Sequence, residues 1–160
     1  MASFNLVLLT LHNLTRWVVL LLGGVALIRA ARGWVKQTDF TPADARIGAL
    51  FTIAFDVQIL LGLILYLTRG WGGVLLGDFG AAMREPALRF FALEHIFLML
   101  VALGIAHMGR TLSRKAPTSL QKHRRAALGF GLALLLTLAA IPWPFFAHGR
   151  PWLRLFGLQF

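Results

Sequence analysis

FNLVLLTLHNLTRWVVLLLGGVALI, residues 4–28, carries a single formal charge, Arg16, and no proline. At a rise of about 1.5 Å per residue such a run is long enough to cross about 30 Å of hydrocarbon as a helix. Three further apolar runs follow, near 47–68, 87–109 and 126–146, and with the first they take up more than half of the 160 residues. The composition agrees: 58% of residues are hydrophobic and 14% charged, with a mean hydropathy of +0.74, far from a soluble domain of this size. The connections 29–46, 69–86 and 110–125 are too short to bury cores of their own. The reading is all-α: one integral membrane domain spanning 1–160, a four-helix transmembrane bundle with a C-terminal interfacial tail over 147–160. A β-barrel is disfavoured because LVLLTL and ALLLTLAAI are continuously apolar rather than alternating.

Charge supplies the topology. The net charge of +10 is distributed by loop rather than gathered as a nucleic-acid footprint. Arg29, Arg32, Lys36 and Arg46 follow the first run, and Arg110, Arg114, Lys115, Lys122, Arg124 and Arg125 precede the last. The positive-inside rule puts these two loops on the cytoplasmic side and both termini on the outer side. No cationic region precedes 4–28 and no small-residue cleavage site follows it, so the first helix is expected to be retained. Trp34 falls at the inner boundary, and Tyr66, Trp71, Trp143 and Trp152 fall at the outer one. The tail GRPWLRLFGLQF is expected along the outer surface or against a partner.

Depth then singles out a site. His12 and His95 each lie roughly eight residues inside their helices, about 12 Å from the outer face. With no cysteine in the chain, thiolate metal sites, iron–sulfur clusters and covalently attached haem are excluded, and a redox group must use histidine. Two imidazoles at one height suit the axial positions of a haem b iron; they equally suit plain hydrogen bonds between helices. One turn deeper, Arg16 and Asp56 fall at similar depth. Ionisable groups in hydrocarbon face one another, so a buried Arg16–Asp56 pair is expected, with a haem propionate as the alternative partner of Arg16. Glu94 and Tyr66 are candidates for a proton or quinone site, and Asn13 and Gln58 add polarity to the same outer half. His123, in the basic run QKHRR, reads as solvated or lipid-facing, and His148 as an outer-surface residue. Gly62, Gly104, Gly129 and Gly131 read as helix-packing positions. Nothing resembles a nucleophile with a base, a metal-hydrolase motif or a phosphate loop, so an enzyme in its own right is not indicated.

LHNLTRW (11–17), QILLGLILY (58–66), ALRFFALEHIFLML (87–100), KHRR (122–125), IPWP (141–144) and GRPW (149–152) together resemble a family of small four-helix bacterial membrane proteins catalogued as cytochrome B or cytochrome b-like. The resemblance spans nearly the whole chain. It implies a b-type cytochrome, or an accessory subunit of an electron-transfer assembly, with His12 and His95 matching the family's pattern. Many relatives carry histidine where this chain has Asp56. The leading expectation is a haem b protein passing electrons near the outer face, in or beside a respiratory or photosynthetic complex, with lipid and other membrane subunits as partners. The alternative is a cofactor-free structural subunit, closing a quinone channel. A small proton conduit through Asp56, Glu94 and Arg16 is the third reading.

Overall fold

The computed structural model describes residues 2–159. Helix α1 (Ala2–Lys36) and helix α2 (Pro42–Thr68) form a hairpin. Three short helices follow, α3 (Trp71–Gly77), α4 (Phe79–Arg84) and α5 (Pro86–Arg89). A π-helical turn, Phe90–Glu94, joins α5 without a break to α6 (His95–Arg114), and α7 (Ser119–Ala140) returns along it. Helix α1 lies against α2 and α7, and α6 lies against α7 and α2. Three of these helical runs, Ser3–Lys36, Pro42–Thr68 and Pro86–Arg114, are long and apolar enough to cross a membrane.

The termini of these helices differ from the expected ones for local reasons. Helix α1 continues past Ile28 through RAARGWVK, whose alanine and arginine favour helix, and stops where Gln37 turns left-handed at φ 52°. The Thr38 amide then donates to the Gly33 carbonyl at 3.2 Å, the six-to-one closure of a Schellman end. Helix α2 begins at Pro42 rather than 47, because Thr41 and Asp44 cap each other reciprocally and Pro42 sits at the first helical position. Asp44 also receives Arg29 of α1 at 2.8 Å, which ties the hairpin at that end. Helix α7 begins at Ser119, under a Thr118 cap, and ends at Ala140. The expected run to 146 fails because Ile141 precedes Pro142 and takes extended angles, φ −73° and ψ 129°. The first two turns of α7 hold Lys122, Arg124 and Arg125, and α7 is not among the three runs suited to crossing a membrane.

Small and aromatic residues share the core. Ala26 and Ala30 of α1, Ala102 and Ala106 of α6, and Ala126 and Ala133 of α7 are buried around Phe51, Phe55 and Phe130. Small side chains allow the backbones to approach, and dispersion rather than the hydrophobic effect then favours helix contact in lipid. The closest approach is at Gly109, where a Cβ would sit 2.7 Å from the Cα of Gly129. Gly104, by contrast, faces open space, and Gly131 makes only ordinary contact with Leu27, so neither serves the packing expected of it. His123 is buried, not lipid-facing: its ring fills the gap over Gly33 and its Nε2 lies 3.4 Å from the Asp39 carbonyl. Gly33 makes room that any larger residue would occupy.

The tail folds back on the chain. A two-stranded hairpin, β1 (Arg154–Leu155) and β2 (Leu158–Gln159), turns at Phe156 and Gly157, both with positive φ, as a tight hairpin turn requires. Its backbone is read by a polar stripe on α1. Asn13 Oδ1 accepts from the Arg154 amide at 3.2 Å and Thr10 Oγ1 from the Phe156 amide at 3.1 Å. Arg16 Nη2 and Trp17 Nε1 donate to the Trp152 carbonyl at 2.5 and 3.1 Å. Thr10, Asn13 and Trp17 recur every three or four residues, with Arg16 next to Trp17, so the four fall toward one side of the helix.

Candidate functional site

One cavity of about 170 Å³ opens between the halves of α1, α2 and α6 that lie nearest the tail, and the tail closes part of its wall. Two elements present imidazoles to it: His12 from α1 and His95 from α6. The depth argument thus brings together the pair it named. Leu9, Val19, Phe55, Ile59 and Met99 supply apolar walls, while Gln58, Tyr66 and Arg16 supply polar ones.

His95 is oriented by its second nitrogen. Nδ1 lies 2.8 Å from the Ala140 carbonyl, an acceptor, so Nδ1 carries the proton and Nε2 keeps its lone pair. That carbonyl is at the end of α7, where the helix stops before Pro142 and no following turn claims it. The π turn ahead of His95 is the second local device. It inserts one residue per turn relative to an α-helix, the His95 amide bonds back to the Phe90 carbonyl, and the Ala92 carbonyl is left to accept Tyr66 Oη at 2.9 Å.

His12 is held differently. Gln58 Nε2 donates to His12 Nε2 at 3.3 Å and to the His12 carbonyl at 3.0 Å, and Thr15 Oγ1 donates to Gln58 Oε1. With Nε2 as acceptor, the proton belongs on Nδ1, and Nδ1 is buried without a partner, as is Arg16 Nε. Buried polar atoms left unpaired cost free energy, about 1–3 kcal/mol each. Gly62 makes the space for the ring: a Cβ there would meet His12 Cε1 at 3.0 Å.

Arg16 and Asp56 are not paired. Phe51, Phe55 and Gln58 form the buried stripe of α2, and Asp56, one residue after Phe55, is turned about 100° from it. It projects onto the outer flank and meets His107 Nε2 of α6 at 2.8 Å, with the two side chains 47% and 42% exposed. Arg16 instead turns to the tail at Trp152. Glu94 is likewise not in the cavity. It takes Arg89 Nε at 2.7 Å, and both side chains are about two-fifths exposed, so the proposed proton or quinone role of this carboxylate has no support from its position. Tyr66 does line the cavity. His148 stacks on Phe90, ring centroids 3.9 Å apart, beneath the outer surface.

The residues that depth reasoning missed are the arginines of the mouth. Arg69, Arg150 and Arg154 join Arg16 as lining residues, and among the described residues no Asp or Glu lines the cavity with them. Arg150 is fixed by its amide, which donates to the Pro142 carbonyl at 2.9 Å, and its guanidinium lies 4.6 Å above the Phe91 ring. Burial lowers its pKa below the usual arginine value, and the charges of Arg154 and Arg69 add to the effect. The sequence signal was present in the GRPWLR motif, where two arginines flank a tryptophan.

Among the described residues, no group of three or more His, Cys, Asp or Glu side chains converges in the manner of an all-protein metal site. No protein-family model, curated protein or solved structure matches this chain.

Proposed function

We propose that this chain is a b-type haem protein of a bacterial plasma membrane, a four-helix bundle with both termini outside, that passes electrons near the outer face alongside other membrane subunits. The observation that carries the reading is the convergence of His12 and His95 on one cavity, with the His95 tautomer set so that Nε2 faces away from its Ala140 partner. Two neutral imidazoles are too few for an ion that needs a full protein ligand set, but they suffice for an iron that brings four macrocycle nitrogens. The lining suits that group in kind, with apolar walls for the ring, an unpartnered His12 Nδ1 and Arg16 Nε, and further arginines; at about 170 Å³ the cavity must widen to admit a macrocycle. A bis-histidine haem supplies reversible one-electron transfer. The protein's share is to hold His95 through the Ala140 carbonyl, to keep water out with Phe55 and Met99, and to release His12 Nε2 when the Gln58 amide turns aside.

A reduced-minus-oxidised visible spectrum with a pyridine haemochrome assay, on protein purified in mild detergent, tests the reading. One low-spin haem b per chain is expected, lost in His12→Ala and in His95→Ala. Retention of the signal in both single variants, or no signal in the intact protein, overturns it. A second reading, a cofactor-free subunit closing a quinone channel, draws on the Gln58 contacts, which satisfy His12 Nε2 without any ligand.

A further inference from the structure

We propose that Arg69, Arg150 and Arg154 form a clasp for the two carboxylates of the amphiphile that fills the outer cavity, making the C-terminal tail part of the cofactor-binding wall; this rests on the haem reading above. Several features of the molecule lead here. Three arginines line one cavity, from the end of α2 and from the tail, and among the described residues no Asp or Glu lines it with them. Like charges held together repel, and the mutual repulsion of Arg150 with Arg154 and Arg69 is felt at Arg150 itself. A bound dianion offsets that cost, and guanidinium forks match carboxylates in a bidentate manner.

The backbone is prepared for it. The Pro142 carbonyl pins the Arg150 amide and Asn13 Oδ1 pins the Arg154 amide, so both side chains start from fixed positions. Arg16 lies outside the clasp and donates through Nη2 to the Trp152 carbonyl, which holds the tail in place. The cavity therefore combines apolar walls with cationic residues, which selects an apolar ring bearing acid groups. Haem has that shape.

The test titrates the full chain, in nanodiscs of neutral phosphatidylcholine, with haemin and separately with haemin dimethyl ester, whose acids are blocked. Binding is read from the Soret band and from quenching of the Trp17, Trp143 and Trp152 cluster. Haemin is expected to bind at least about tenfold more tightly than the ester, the scale of charge-assisted hydrogen bonds. In Arg150→Gln with Arg154→Gln the preference disappears while ester affinity stays, which also shows that the variant is folded. Chymotryptic cleavage at Trp152 slows with haemin and not with ester. Equal binding of the two ligands by the unaltered chain, or a preference kept in the double variant, overturns the clasp and leaves the haem reading standing. Failure of both ligands to bind overturns the clasp and the haem reading together.

Discussion

His12 and Gln58 show how much one side chain decides. The Gln58 amide occupies His12 Nε2, the nitrogen that the haem reading needs. Gln58→Ala is therefore expected to keep the low-spin spectrum and bind haemin at least as tightly as the unaltered protein, measured by Soret titration. If His12 serves only to join helices, the same change costs stability, about 1–3 kcal/mol, and produces no spectral gain. Asp56 teaches a second lesson. Depth along the helix named His12 and His95, which line one cavity; angle around the helix was not used, and it separates Asp56 from Arg16. The stripe Phe51, Phe55, Gln58 was readable as the inward face, and Asp56 stands beside it. A double-mutant cycle on Arg16→Ala and Asp56→Ala should be additive within about 0.5 kcal/mol, whereas Asp56→Ala with His107→Ala should show coupling above that value. Thermal unfolding in detergent measures both. At Gly33 the His123 ring leaves no room for a methyl group, so Gly33→Ala should destabilise by about 1–3 kcal/mol through overpacking.

Among the elements, the tail was the least legible. GRPWLRLFGLQF announced an interfacial segment through its arginines and aromatics, but its docking site was written elsewhere, as Thr10, Asn13, Arg16 and Trp17 on an otherwise apolar helix. Periodicity of polar residues within a hydrophobic run marks a face that meets protein rather than lipid. Replacing Asn13 and Thr10 together, Asn13→Ala with Thr10→Val, leaves the Arg154 and Phe156 amides without their acceptors. Chymotryptic cleavage near Trp152 is then expected to quicken several-fold, in proportion to the opened population. Two helix ends, at 47 and at 146, were misplaced by the apolar pattern alone, and the Thr41–Asp44 cap and Pro142 decide them. The apolar pattern alone set α7 too late, because its charged first turns look like loop.

At the scale of the whole molecule, hydropathy alone foretold an all-α membrane-crossing chain, and three helical runs meet that description. The orientation expected from loop charge is open to direct measurement, since the chain has no cysteine to remove. Single cysteines at Thr38 and Lys115 should react from one side of sealed vesicles, and those at Asp78 and Phe145 from the other, as read with an impermeant maleimide. Labelling of Thr38 and Asp78 from the same side would contradict the crossing of α2.

The wide turn at Phe90–Glu94 carries a meaning in descent. An extra residue inside a helix is an insertion that the fold absorbed without lengthening a loop, and it sets the phase of everything on either side. A homologue lacking one residue in FFALE would keep each flanking helix yet rotate one against the other by about 100°. Either the Tyr66 contact or the aim of His95 would be lost. Indels elsewhere in the outer loops should be tolerated by lineage after lineage; a gap of one between Phe90 and Glu94 should mark the point where a branch changed what its membrane protein does.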